Sequence, residues 1–238
     1  MRWYVVVPIL AASFLISYAA WVNSPEYIKK GGPLLILGGM CFLLTFTVTL
    51  ERLVVLWRAG GRGDVASFVR NVKKAVDTGN MQAAIDACKK QGGCLANVVG
   101  AGLERYHVLK GSTLEKKELM EETRRAIEEA NALESPLLER NLIALSTIAS
   151  IATMLGLLGT TIGMIRSFNA MSHAGAPDAS QLPLGISEAL VNTALGLTTA
   201  IIGITLYNYF MNRVDTFNYA MDETTYEVLQ LLQHRKEG

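Results

Sequence analysis

One carboxylate lies where a charge is costly. Glu188 sits within Leu184–Met211, a stretch of the 238-residue chain that is otherwise uncharged. Inside a membrane such a group costs roughly a few kcal/mol, so it faces an interior and is either paired or protonated. The chemistry it offers is proton binding and release. Asn192, four residues on, shares its helical face. A plainer reading makes Glu188 a solvated helix-end residue, because it lies only a few residues into the stretch. Hydroxyls form the second signal. Ser146, Thr147, Ser150, Thr153, Thr160 and Thr161 fall in the preceding apolar stretch, and Thr193, Thr198, Thr199 and Thr205 in this one. Serine and threonine bond back to their own helix, so a few mean little. So many in two neighbouring stretches point to a hydrated lumen or a polar partner. Thr147 and Thr193 lead, with Ser150, Asn192 and Thr199 as further pore-facing groups. Glu188, Thr147 and Thr193 are expected to face one hydrated seam between the two stretches.

Other chemistry is poorly represented. Cys88-x5-Cys94 with His107 matches no standard zinc spacing and lacks a fourth ligand. No phosphate loop, nucleophile elbow or HExxH helix occurs. The reading is therefore of a non-enzyme, with no metal and no cofactor. A net charge of +1 gives no basic field for nucleic acid. Three cysteines make no even disulfide framework.

The elements that must hold these groups are membrane helices. Four apolar blocks alternate with charged segments, and a block of about 20 residues crosses a hydrocarbon core. Residues 1–23 read as an N-terminal span, with a secretory signal peptide as the competing reading. Residues 24–32 form a loop. Residues 33–57 form a span interrupted near one end by Glu51-Arg52, where an arginine can snorkel to headgroups and Trp57 suits the aromatic belt. Residues 58–140 carry charges of both signs on helical patterns. Val65, Phe68, Val69, Val72 and Val76 make one apolar face, Thr78-Gly79-Asn80 ends it, and Ser112 or Thr113 can cap a longer helix. Pro136 marks either a kink in that helix or a junction before the next span. Residues 141–171 and 184–211 are spans joined by a loop, 172–183, and a mixed-charge helical tail, 212–238, follows. Lysine and arginine crowd residues 58–140 and the tail but are absent from 172–183. The positive-inside rule then places the first two in the cytoplasm and the loop outside. The fold class is all-α, a polytopic helical membrane protein whose long spans extend into a cytoplasmic helical domain.

Small residues recur along both late spans. Ala149, Ala152, Gly156, Gly159 and Gly163 lie on one side of the third span. Ala189, Asn192, Gly196, Thr199 and Gly203 lie on one side of the fourth. Such stripes let two backbones approach closely. An antiparallel hairpin is expected, packed through Ala152, Gly156, Gly163, Gly196 and Gly203.

The segment from Leu145 to Met164, LSTIASIATMLGLLGTTIGM, resembles the ExbB/TolQ/MotA proton-channel family. Gly185–Leu197, GISEALVNTALGL, resembles its second signature, and the closest likeness is to the ExbB branch. The resemblance implies a homo-pentamer around two copies of a single-span partner of the ExbD/TolR type, whose membrane-embedded aspartate takes up and releases protons. The third and fourth spans would line the pore. The family's pore threonines match Thr147 and Thr193, and its glutamate matches Glu188. The implied site is the bacterial inner membrane, with its lipid, and the implied load is a TonB- or TolA-type energy transducer. Two departures stand out. Thr153 occupies a position where the family often has proline, and the first span is additional to the three-span core. A flagellar or gliding stator and a non-conducting membrane scaffold are the alternatives.

Overall fold

The computed structural model describes residues 3–23, 32–111, 115–173 and 181–234. The expected loop 24–32 is therefore described only at Gly32, and most of the loop 172–183 lies outside the described residues. So do Ser112 and Thr113, the expected caps. Every element is helical: α1 (Trp3–Asn23), α2 (Leu34–Ala59), α3 (Val65–Thr78), α4 (Met81–Gln91), α5 (Gly93–Leu109), α6 (Lys116–Glu139), α7 (Leu142–His173) and α8 (Gln181–His234). No strand occurs among the described residues. Three helical stretches, Leu34–Ala59, Lys116–Asn169 and Leu182–His234, are long and apolar enough to cross a membrane. The chain is thus an all-α polytopic membrane protein. It divides into two compact units, one of Met1–Glu51 with Asn141–Tyr209, the other of Arg52–Arg140 with Phe210–Gly238.

In the first unit α1 lies against α2. The buried Ser17 donates from Oγ to Ile36 O at 2.7 Å, and Gly39 leaves the room for the serine side chain. Thr45 and Thr49 on α2 are buried and bond back to Cys41 O and Thr45 O, which satisfies their hydroxyls without a partner helix. Asn141 holds a left-handed φ of 65° between α6 and α7, a conformation asparagine tolerates better than most residues. Its Nδ2 donates to both Glu51 oxygens at 3.1 Å.

The second unit is built like a water-soluble helical domain. Asp64 caps α3 by accepting from Ser67 N at 3.0 Å, and Gly79, at φ 83°, closes its far end. Asn80 caps α4 at once, accepting from Ala83 N at 3.1 Å. The core is of large apolar side chains, with Val72, Val76, Val98 and Leu103 fully buried. The last part of α8 adds Phe210, Val214, Met221, Val228 and Leu232 at helical spacing.

The helical tail continues the last span, because α8 runs unbroken for 54 residues. Nothing between Met211 and Asn212 punctuates it, and its buried stripe simply changes from small to large residues. Of the two readings of Pro136 the junction fits, because it sits in the last turn of α6, which ends at Glu139, three residues before α7 begins at Leu142. Arg52 does not snorkel outward. It is 1% exposed and donates from Nη1 to Leu138 O at 3.3 Å, one of the last-turn carbonyls that α6 leaves without a helical partner.

Candidate functional site

The site is built on the α7–α8 hairpin in the first unit. The buried face of α7 is Leu142, Leu145, Ala149, Ala152, Gly156, Gly159, Gly163 and Ser167, recurring at three and four residues. The facing stripe of α8 is Gly185, Ala189, Asn192, Gly196, Thr199 and Gly203. These backbones nearly touch. A Cβ placed on Gly196 would lie 2.6 Å from Ala152 O and 2.8 Å from Gly156 Cα. One on Gly163 would lie 2.7 Å from Gly185 O, and one on Gly203 2.9 Å from Ala149 Cβ. Real Cβ atoms do not approach so closely, so these glycines set the helix separation.

Glu188 is buried at this seam and paired. Arg166 Nη1 donates to its Oε1 at 2.5 Å, with the arginine side chain half exposed and the glutamate side chain 12% exposed. Gly32, at φ 66°, lies against the same carboxylate, and a side chain there would collide with it. Glu188 and Arg166 also border a cavity of about 190 Å³ with Pro33, Leu37 and Ile162. Asn192 is buried below them, donates from Nδ2 to Glu188 O at 3.1 Å, and fills the space left by Gly159. The pairing neutralises a carboxylate in an apolar setting, and either charge alone would be left uncompensated.

Thr193 crosses the seam. Its Oγ1 lies 3.0 Å from Gly156 O on α7 and 3.1 Å from Ala189 O on its own helix. Thr199 is fully buried and bonds back to Leu195 O at 2.8 Å. Thr147 and Ser150 are elsewhere. Both are exposed on the opposite face of α7 and bond back to Ile143 O and Ser146 O. The structure therefore brings together Glu188, Asn192 and Thr193 but not Thr147, which faces away from α8. Helical geometry explains the separation. Thr147 is two residues from both Leu145 and Ala149 of the buried stripe, about 200° of rotation from each and so close to the opposite face.

Arg166 was not singled out in the sequence, yet a signal existed. It lies seven residues before the end of α7 and Glu188 seven after the start of α8, so an antiparallel hairpin sets them level. Thr153 bonds back to Ala149 O at 3.2 Å, and α7 runs unbroken through it.

Among the described residues no group of three or more His, Cys, Asp or Glu could hold an ion. Cys88 and Cys94 are buried free thiols. Burial pushes Cys88 up to about 12, aided by the Glu104 charge, and Cys94 up to about 11.

A hairpin of small residues carrying an ion pair and a seam hydroxyl, on helices long and apolar enough to cross a membrane, defines a class, the polytopic helical membrane proteins with a polar inter-helix site. The family follows from comparison. Residues 91–223 match the model of the MotA/TolQ/ExbB proton channel family, and this chain belongs to that family. An ExbB-like biopolymer transport protein of Synechocystis is 45% identical over 91 residues, 37% of this chain and 43% of that one. The biopolymer transport protein ExbB of Pseudomonas putida is 27% identical over 190 residues, 80% of this chain and 56% of that one. The Tol-Pal system protein TolQ of Haemophilus influenzae is 38% identical over 93 residues, 39% of this chain and 41% of that one. The aligned stretches thus cover about half the length of these relatives or less.

Proposed function

We propose that this chain is an ExbB-like subunit of a proton-driven motor in the bacterial inner membrane, coupling the proton-motive force to TonB-dependent outer-membrane transport. It would assemble as a homo-pentamer around a single-span partner of the ExbD/TolR type. The observation that carries the reading is the buried Glu188, paired with Arg166 at the outer part of the α7–α8 seam and followed inward by Asn192 and Thr193. Residues 58–140 and 212–238 would lie in the cytoplasm and residues 172–183 outside, with residues 1–23 as an additional span.

In this account protons arrive from outside near Glu188 and pass beside Thr193 to the partner's aspartate. Thr147 and Ser150, exposed on the other face of α7, would meet the partner rather than the seam. Protonating the partner's carboxylate removes a charge that the apolar surroundings resist, and the changed contact lets the partner turn. The gradient supplies about 2.3 kcal/mol per charge per 100 mV. Hydroxyls suit such a path because they hold water without trapping a charge.

A TolQ-like role is the second reading, favoured by the 38% identity to the Haemophilus TolQ. Both readings predict co-purification with a single-span partner of the ExbD/TolR type, at a fixed stoichiometry of five to a smaller number. A partner that binds peptidoglycan would point instead to a stator, and a chain that purifies alone as a monomer would remove the motor reading.

A further inference from the structure

The turn between α2 and α3 and the turn between α4 and α5 build a basic cleft in the second unit. After α2 ends, Gly61 and Gly63 adopt φ of 74° and 96°, and Gly92 and Gly93, between α4 and α5, adopt 62° and 83°. The two turns are locked backbone to backbone. Arg62 N donates to Gln91 O at 2.7 Å, and Cys94 Sγ donates to Ala59 O at 3.4 Å. A Cβ on Gly93 would lie 2.6 Å from Gly61 N, so no larger residue permits this approach.

A cavity of about 840 Å³ opens on these turns, lined by Trp57, Arg58, Arg62, Lys89, Lys90 and Gln91 with the glycine backbones between. Its lining holds four cations and no acid. Lys89 is engaged by Glu104 at 3.0 Å, while Arg58, Arg62 and Lys90 form no ion pair among the described residues. The Gln91 Nε2 is buried with no hydrogen-bond partner, and no side chain caps the N-terminus of α5 at Gly92. An unused donor and uncompensated cations on a rigid double turn suit a bound anion.

The surroundings say which anion. α2 is one of the helices long and apolar enough to span a membrane, and the cleft begins at its last turn. Trp57 there is 80% exposed, as an interfacial aromatic would be, with Arg58 beside it. A cluster of cations next to the end of a span recognises anionic lipid headgroups.

We propose that this cleft binds the phosphate of an anionic phospholipid, with Arg58, Arg62 and Lys90 pairing the headgroup and Trp57 lying along the glycerol and upper acyl chain. The full-length protein in neutral detergent, titrated with dioctanoyl phosphatidylglycerol and followed by native mass spectrometry, tests it. One saturable site is expected. Dioctanoyl phosphatidylcholine should not fill it, and inorganic phosphate should bind at least tenfold more weakly. Each single variant, R58Q, R62Q or K90Q, should weaken phosphatidylglycerol by about fivefold. The triple variant should lose tenfold or more. The control R70Q/K74Q/K117Q removes the same charge from other exposed positions and should bind as the parent does. All six side chains are exposed, so the helical circular dichroism should be unchanged. Equal binding of phosphatidylglycerol by parent and triple variant, equal binding of phosphatidylcholine, or phosphate binding as tight as lipid would each overturn the assignment.

Discussion

The two parts of α8 are one helix written for two solvents. Up to Tyr209 its buried stripe is Gly185, Ala189, Asn192, Gly196 and Thr199, and beyond it Phe210, Val214, Met221, Val228 and Leu232. The second stripe is large because water drives apolar area inward, at roughly 25 cal/mol per Å². The first is small because lipid gives no such drive, and association rests on close contact and hydrogen bonds between helices. Polar side chains differ too: Glu188 and Asn192 are buried beside the small-residue seam of the first unit, whereas Asp64 and Asn80 of the second cap helix starts.

The strongest way to break this comparison is to treat the second unit as though size did not matter. Leu103→Ala, at a fully buried position, should destabilise that unit by about 2–5 kcal/mol, read from denaturant unfolding. A change below half that would mean that α5 is not packed as a water-soluble core. The converse experiment adds one methyl group where the backbones touch. Gly196→Ala should cost about 1–3 kcal/mol and weaken hairpin packing, measured as lowered thermal stability in detergent. Gly111→Ala, where nothing lies within 4 Å, should not.

Smaller effects sharpen the contrast. Asp64→Ala removes the α3 cap and should cost about 1 kcal/mol by chemical denaturation. The buried thiols give a pH test. Because the folded pKa values of Cys88 and Cys94 are raised above the ordinary 9.0, the unfolded chain releases these protons first as pH rises. Their stabilising contribution is full below that ordinary value of 9.0 and falls between there and about 11–12. Replacing both with alanine should therefore flatten the decline in thermal stability from pH 8 to 10. At neutral pH neither should react with iodoacetamide unless the protein unfolds. Least of all should change at the exposed Arg124–Glu128 pair, where Arg124→Gln should leave the melting temperature unaltered.

How much of this was legible follows from the same physics. The all-α class and the small-residue stripes could be read because glycine and alanine at helical spacing have one strong use in an apolar helix. Val72 and Val76 were legible as core for the same reason of period. What could not be read was anything that depends on what faces what. Thr147 and Thr193 look alike in sequence, but their rotation about the helix axis sends them to opposite sides of α7. Arg52 looks like an interfacial cation until its partner, the Leu138 carbonyl 86 residues away, is known. Arg166 was visible but its pairing required the hairpin register.

The central claim is that Glu188 and Thr193 carry the ion path. Proteoliposomes holding this chain with the proposed single-span partner of the ExbD/TolR type and a pH-sensitive dye, given an acid pulse outside, test it most directly. Proton uptake is expected in the parent and in Thr193→Ser, and its loss is expected in Glu188→Ala and Thr193→Val, with each variant still co-assembling with the partner. Uptake at parental rates in both Glu188→Ala and Thr193→Val would contradict the account.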